Sequence, residues 1–132
     1  MIKGEKIRLD IHKILFSIYK FNKTLDSNSI KKIISKYEAS DINFLHTVLL
    51  NSMRYQYHTA KIIDLYVHKK IREQEKILLL SSITQIVFLN FKDYAVINCS
   101  VEIAKKLKIY HGFINACLKN ISKNKRELAK VE

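Results

Sequence analysis

The chain has 132 residues, enough for one domain with a buried core, and 48% of them are hydrophobic, which excludes an intrinsically disordered chain. Two glycines and no proline leave too few turn formers for tight hairpins and rule out a glycine-rich phosphate loop, so nucleotide-binding folds are excluded and an all-α domain is expected. Twenty-four Lys and Arg against twelve Asp and Glu give a net charge of +12, which points to polyanionic partners, although a codon bias toward lysine would raise the same count.

Hydrophobic periodicity predicts seven helices, packed as one or two small bundles. The first runs from about Lys6 to Phe21, with Ile7, Ile11, Ile14, Leu15 and Ile18 on one face. Lys6, Lys13 and Lys20 form a solvated stripe on its far side, and Arg8 sits at the edge of the apolar face, where its stem can pack while its head reaches out. A short second helix, about Asn28 to Tyr37, turns Ile30, Ile33 and Ile34 inward. Ser40 is the expected N-cap of the third, about Asp41 to Tyr55, which contributes Phe44, Leu45, Val48, Leu49 and Met53. The fourth, about Thr59 to Lys70, uses Ile62, Ile63 and Tyr66. "EKILLLSSITQIVFLN" is apolar nearly all round and is expected to be the central helix. The sixth, about Tyr94 to Lys108, buries Ile97, Val101 and Ala104; Gly112 then permits a turn or a close approach to a neighbouring helix.

The last predicted helix, Tyr110 to Lys130, is divided between two faces. Phe113, Ile114, Cys117, Leu118, Ile121 and Leu128 fall in one sector, and Lys119, Lys123, Arg126 and Lys130 follow an i, i+4, i+7, i+11 series opposite. Such a ridge can track phosphates; an ordinary solvated lysine face has the same spacing.

Catalytic and metal chemistry find no foothold. The five histidines are scattered and there is no HExxH, so no metal site and no cofactor are expected. Cys99 and Cys117 lie within helical patterns and read as buried, reduced thiols of a cytoplasmic protein. Asn98 and Glu102, four residues apart, read as a pair tying one helix to its neighbour rather than as an acid/base dyad. The charged start "MIKGEKIRLD" is no signal peptide, and the run Ile77 to Phe91 falls short of the roughly 20 residues that span a bilayer. "MRYQYH" places Arg54, Tyr55 and Tyr57 close together, a group on which unpaired bases could stack, or which could plug a helix junction.

"ILLLSSITQIVFLNFKDYAVINCSVEIAKKL" followed by "GFINACLKNI" resembles the NusB-like helical domain, with Ala95, Asn98, Val101, Glu102, Gly112, Phe113, Asn115 and Leu118 matching its paired motifs. Arg8 resembles the arginine that opens the family's first helix, and the likeness covers nearly the whole chain. It implies a NusB-like fold of about seven helices in two small antiparallel bundles, filling residues 1–132 as a single RNA-binding domain. The family has two branches. One is the antitermination factor that binds boxA RNA with a small ribosomal protein; the other is the N-terminal domain of the RsmB/Sun methyltransferases, which modify cytosine at C5 in small-subunit rRNA. "LNSMR" and Gln85 in "ITQIVF" resemble the methyltransferase branch. Cys99 stands where the family has Glu, Asn51 where it has Gly and Lys119 where it has Arg, and the usual proline before the sixth helix is missing.

No catalytic domain is recognisable in this chain, so the expectation is a non-enzymatic recognition module, with about 123–132 a connector to a methyltransferase domain. Lys3, Lys6, Arg8 and Lys13 would form one RNA-binding region and Lys119, Lys123 and Arg126 another, with Arg54, Tyr55 and Tyr57 as candidates for base stacking. The expected partners are RNA, either rRNA or boxA-like, together with a ribosomal protein or a methyltransferase domain, and no membrane. A helical scaffold engaging an acidic protein is the alternative of a different class.

Overall fold

The computed structural model describes residues 2–130, so the last two residues of the expected connector lie outside the described residues. Among the described residues the fold is all-α, with eight helices: α1 Glu5–Phe21, α2 Asn28–Ile34, α3 Ala39–Arg54, α4 Gln56–Tyr66, α5 Glu73–Ile83, α6 Asp93–Lys106, α7 His111–Lys123 and α8 Lys125–Leu128. A π-helical turn, Thr84–Phe88, continues α5. Among the described residues no helix is long and apolar enough to cross a membrane.

Gly4 starts α1 with φ +83°, a left-handed conformation that strains any residue with a Cβ. Asn22 ends the helix in the same region (φ 55°), its N–H bonding the Ser17 carbonyl. Between them Ile11, Ile14 and Leu15 are buried, as the periodicity predicts. Helix α3 begins two residues earlier than expected. Glu38, in an extended conformation, precedes it, so Ser40 lies in the first turn and does not cap the helix. Helix α4 follows after a single residue, Tyr55, which leaves helical geometry.

Every residue of α5 from Ile77 to Ile83 is buried, which makes it the central helix. Its hydroxyls are satisfied internally: Ser82 and Ser100 share a hydrogen bond of 2.7 Å, and Thr84 donates to the Leu80 carbonyl at 2.8 Å. The apolar core forms two clusters around this helix. Ile11, Ile14, Leu15, Ile30, Leu45, Val48, Leu49 and Ile77 make one, drawn from α1, α2, α3 and the start of α5. The other, from α4 through α8, includes Ile62, Leu79, Ile83, Ile103, Ile114, Leu118 and Leu128. Phe91 packs against both. Each fully buried Leu or Ile contributes about 1.5–3 kcal/mol, so neither cluster is dispensable.

The expected long last helix is two. It breaks at Asn124 (φ −114°, ψ 17°), and α8 follows as a single turn. The division of faces survives the break: Ile114, Cys117, Leu118, Ile121 and Leu128 are buried, while Lys119, Lys123, Arg126 and Lys130 are exposed. Leu128 anchors the chain to the core beyond Lys123, where the connector was expected to begin. Gly112 makes no turn. It is the second residue of α7, and a Cβ there would meet the ring of Tyr110 at 3.1 Å.

Asn98 and Glu102 do not tie α6 to a neighbour. Asn98 is exposed, and Glu102 pairs within its own helix with Lys105 at 3.0 Å. Asn115 is half-buried.

Candidate functional site

The sequence places Arg8 one turn into α1, and three distant segments converge on its guanidinium. Nε donates to Gln85 Oε1 at 2.7 Å, and Nη1 reaches the Gly4 carbonyl at 3.4 Å and Cys99 Sγ at 3.8 Å. The group also lies over the Phe44 ring, 5.1 Å from its centroid. Gln85 is oriented for this by the π turn and by its own Nε2, which donates to the Ser81 carbonyl at 3.1 Å. A Cβ at Gly4 would stand 2.3 Å from Arg8 Nη1, so any other residue there would push the guanidinium aside. Burial works against the Arg8 charge, yet an arginine stays protonated in a protein.

Among the described residues no carboxylate touches this guanidinium. The ion pairs among the described residues are Arg72–Glu75, Lys105–Glu102 and Lys106–Glu5. Glu5, in the first turn of α1, is turned away and buried against Lys106, whose hydrogen bond holds its carboxyl below the usual carboxylate range. Asp10 accepts a hydrogen bond from the Tyr37 hydroxyl, which with burial pushes the tyrosine pKa upward. Arg8 is therefore a partly desolvated cation whose local partners are an amide, a carbonyl, a thiol and a ring.

Arg8 forms part of the wall of a groove of about 800 Å³ between the start of α1, the start of α3 and the first turns of α6. Lys3 and Lys6 stand on one side, Ile2, Ile7, Tyr37, Phe44 and Ala95 supply apolar surface, and Asp41 is an acidic group in the lining. Tyr94 and Asn98, one helical turn apart on α6, form the remaining wall. The same two residues line a second depression of about 270 Å³, shared with Asp93, Ile97, Lys119, Ser122 and Lys123. Asp93 accepts a hydrogen bond from Ser122 Oγ, which lowers its pKa, and Lys125 adds to the effect. A third, of about 300 Å³, continues over residues 122–127 and includes Arg126.

The two basic regions read from the sequence thus meet on one surface. Lys3, Lys6 and Arg8 are joined to Lys119 and Lys123 through Tyr94 and Asn98, with Arg126 adjoining. Lys13 is exposed but lines none of these depressions, lying about 10 Å further along the axis of α1 than Lys6. Arg54, Tyr55 and Tyr57 are elsewhere. The Tyr55 ring stacks on Phe88 at 4.2 Å with the planes parallel, and Arg54 lies over it at 5.5 Å. Tyr57 lines a separate pocket of about 260 Å³ with Tyr19 and Lys76. The sequence reading missed Tyr94 as a surface group and assigned Asn98 to packing; their i, i+4 spacing on the polar face of α6 was the available signal.

Both cysteines are free and buried, and burial raises both thiol pKa values, that of Cys117 to about 11, so neither is a ready nucleophile. Among the described residues no group of three His, Cys, Asp or Glu is placed to hold a metal ion.

No curated protein and no solved structure matches the chain. The family description that matches is "NusB family", over residues 5–123, from the first helical turn to the end of α7. That family is one of non-catalytic RNA-binding domains, in keeping with the cationic surface. The match takes in the whole helical framework that builds the groove, and the chain belongs to the NusB family.

Proposed function

We propose that the surface running from Lys3, Lys6 and Arg8 to Lys119, Lys123 and Arg126 is the RNA-binding face of this domain. We further propose that it orients small-subunit rRNA for a cytosine-C5 methyltransferase of the RsmB/Sun type. The observation that carries the RNA reading is Arg8: a partly buried guanidinium facing an open groove, with no carboxylate of the described residues in contact, is completed by an anion. Gln85 supports the branch assignment. As a neutral acceptor it fixes the orientation of Arg8 without cancelling its charge, and it resembles the glutamine of the methyltransferase branch. On this reading residues 123–132 lead toward a catalytic partner domain, with the span up to Leu128 docked on the core.

The test is fluorescence anisotropy across a salt series against a small-subunit rRNA hairpin, a boxA-like single strand and an unrelated duplex. The expected result is tightest binding to the hairpin, with affinity falling steeply as salt rises. Preference for the boxA-like strand would transfer the assignment to antitermination, where a small ribosomal protein would bind beside the RNA. Equal, weak binding to all three would overturn the RNA reading and leave an acidic protein as the partner to seek.

A further inference from the structure

The phosphate-binding reading leaves the groove itself unexplained. Lysines on an open surface suffice to hold a phosphate chain, yet here they flank a concavity of about 800 Å³, in the size range of small-ligand sites, with aromatic and aliphatic walls. At its rim stands Tyr94, 61% exposed, on the ridge between this groove and the depression that holds Lys119 and Lys123. Its ring makes no ring–ring contact among the described residues, and its hydroxyl makes no hydrogen bond there. Three other tyrosines are engaged, Tyr55 stacking on Phe88, the Tyr37 hydroxyl donating to Asp10 and the Tyr66 hydroxyl accepting from Asn124, while Tyr57 is exposed away from this groove. One turn on from Tyr94, the Asn98 amide is exposed, with a donor and an acceptor both unused among the described residues.

Resting on the RNA reading above, we propose that the groove receives an unpaired nucleobase, which stacks on Tyr94 while Asn98 hydrogen-bonds its edge. Charge complementarity fixes the class of occupant. A base entering beside Arg8 carries its phosphates on either side toward Lys3 and Lys6 or toward Lys119 and Lys123, and Tyr94 is the wall those two cationic regions share. A paired base is sealed in its stack and cannot enter, so the site selects single strands and loops over duplex. Asp41 and Asp93, the carboxylates that line the two depressions, oppose phosphate close to them; Asp93 is tied back by Ser122. A polypeptide segment without acidic residues would use the apolar walls but would leave the flanking cations without partners.

The test uses a 12-nucleotide mixed-sequence RNA carrying 2-aminopurine at one central position, alone and annealed to its complement, with wild type, Tyr94→Ala, Tyr94→Phe, Asn98→Ala and the double variant Lys119→Glu/Lys123→Glu. Wild type is expected to bind the single strand more tightly than the duplex and to quench the probe. Tyr94→Ala is expected to weaken single-strand binding about 5- to 100-fold with an unchanged salt slope and to lose the quenching, because stacking is not a charge contact. Tyr94→Phe should behave as wild type, and Asn98→Ala should weaken binding without restoring duplex binding. If Tyr94→Ala binds as wild type, or the duplex competes equally, while Lys119→Glu/Lys123→Glu still loses affinity, the base pocket is overturned and the phosphate reading stands. If wild type binds neither RNA, both are overturned. Tyr94 is exposed, so the alanine variant is expected to fold.

Discussion

Replacing Gln85 by Glu tests the central claim about Arg8 with almost no change of shape. The new carboxylate would sit where Gln85 Oε1 now accepts from Arg8 Nε at 2.7 Å, and would convert a cation held by an amide into an ion pair. With charge centres about 4 Å apart and an effective dielectric of about 20, the attraction is about 4 kcal/mol. Gln85 is 2% exposed, so desolvating the carboxylate costs several kcal/mol, and the donation from Nε2 to Ser81 is lost as well. These terms oppose each other and are of similar size, so the expected change in melting temperature is only a few degrees in either direction. RNA binding should respond differently. With the Arg8 charge cancelled, one phosphate contact is lost, and the slope of log K against log salt should become shallower by about 0.7 for a single strand. The assay is anisotropy between about 50 and 200 mM salt, paired with thermal melts of the same samples. A folded Gln85→Glu protein with an unchanged slope would refute the reasoning, because Arg8 would then hold no phosphate.

The two glycines should answer alanine in opposite ways. Gly4→Ala meets both a positive φ and Arg8 Nη1 at 2.3 Å, so it should cost about 1–2 kcal/mol in melts and weaken RNA binding by displacing Arg8. Gly112→Ala lies within a helix against the exposed ring of Tyr110, which can swing aside, so it should be neutral or stabilise by up to about 1 kcal/mol. Asn115→Ala, at a half-buried site with no hydrogen bond among the described residues, should shift stability by about 0.5 kcal/mol or less; a drop of several degrees would show that the amide is held more tightly than its surroundings indicate. His12 gives a pH dependence. Burial lowers its pKa below the ordinary 6.5, so as pH falls through that value the unfolded chain takes up a proton that the folded one refuses. Stability should therefore decline on the acid side of 6.5, by at most about 1.4 kcal/mol per pH unit, until the folded ring also titrates, and His12→Gln should flatten that limb in urea titrations at pH 5 to 7.

Helix existence and facing were legible in the sequence because they are local. Ile11, Ile14 and Leu15 on α1, and Ile114, Leu118 and Ile121 opposite Lys119 and Lys123 on α7, follow from a 3.6-residue period alone. The site was half legible. Its cations were named, but not the fact that they share a surface, since that depends on α6 lying between α1 and α7. Arg8 could be placed at the edge of an apolar face, but its orientation comes from Gln85 and Cys99, 77 and 91 residues away. Arg54 and Tyr55 were candidates by adjacency; the parallel stack with Phe88, supplied by the π turn, draws Tyr55 into the packing. The break at Asn124 left no trace in periodicity, because Leu128 returns to the core on either side of it.

The π turn is a feature of chain length rather than of residue identity. Its defining bond runs from the Leu89 N–H to the Thr84 carbonyl, five residues back, so this stretch holds one residue more than a regular α-helix would need. Omitting one residue between 84 and 88 would let the turn close as a regular α-helical one, with the chain after it keeping nearly the phase it now has. Ile77 and Leu79 would keep their seats, whereas the side chains within the turn, Gln85 on Arg8 and Phe88 on Tyr55, would be re-aimed. The seat of Arg8 on Gln85 is thus written partly as an insertion. Deletion scanning across the central helix would reveal that information, and alanine scanning would not.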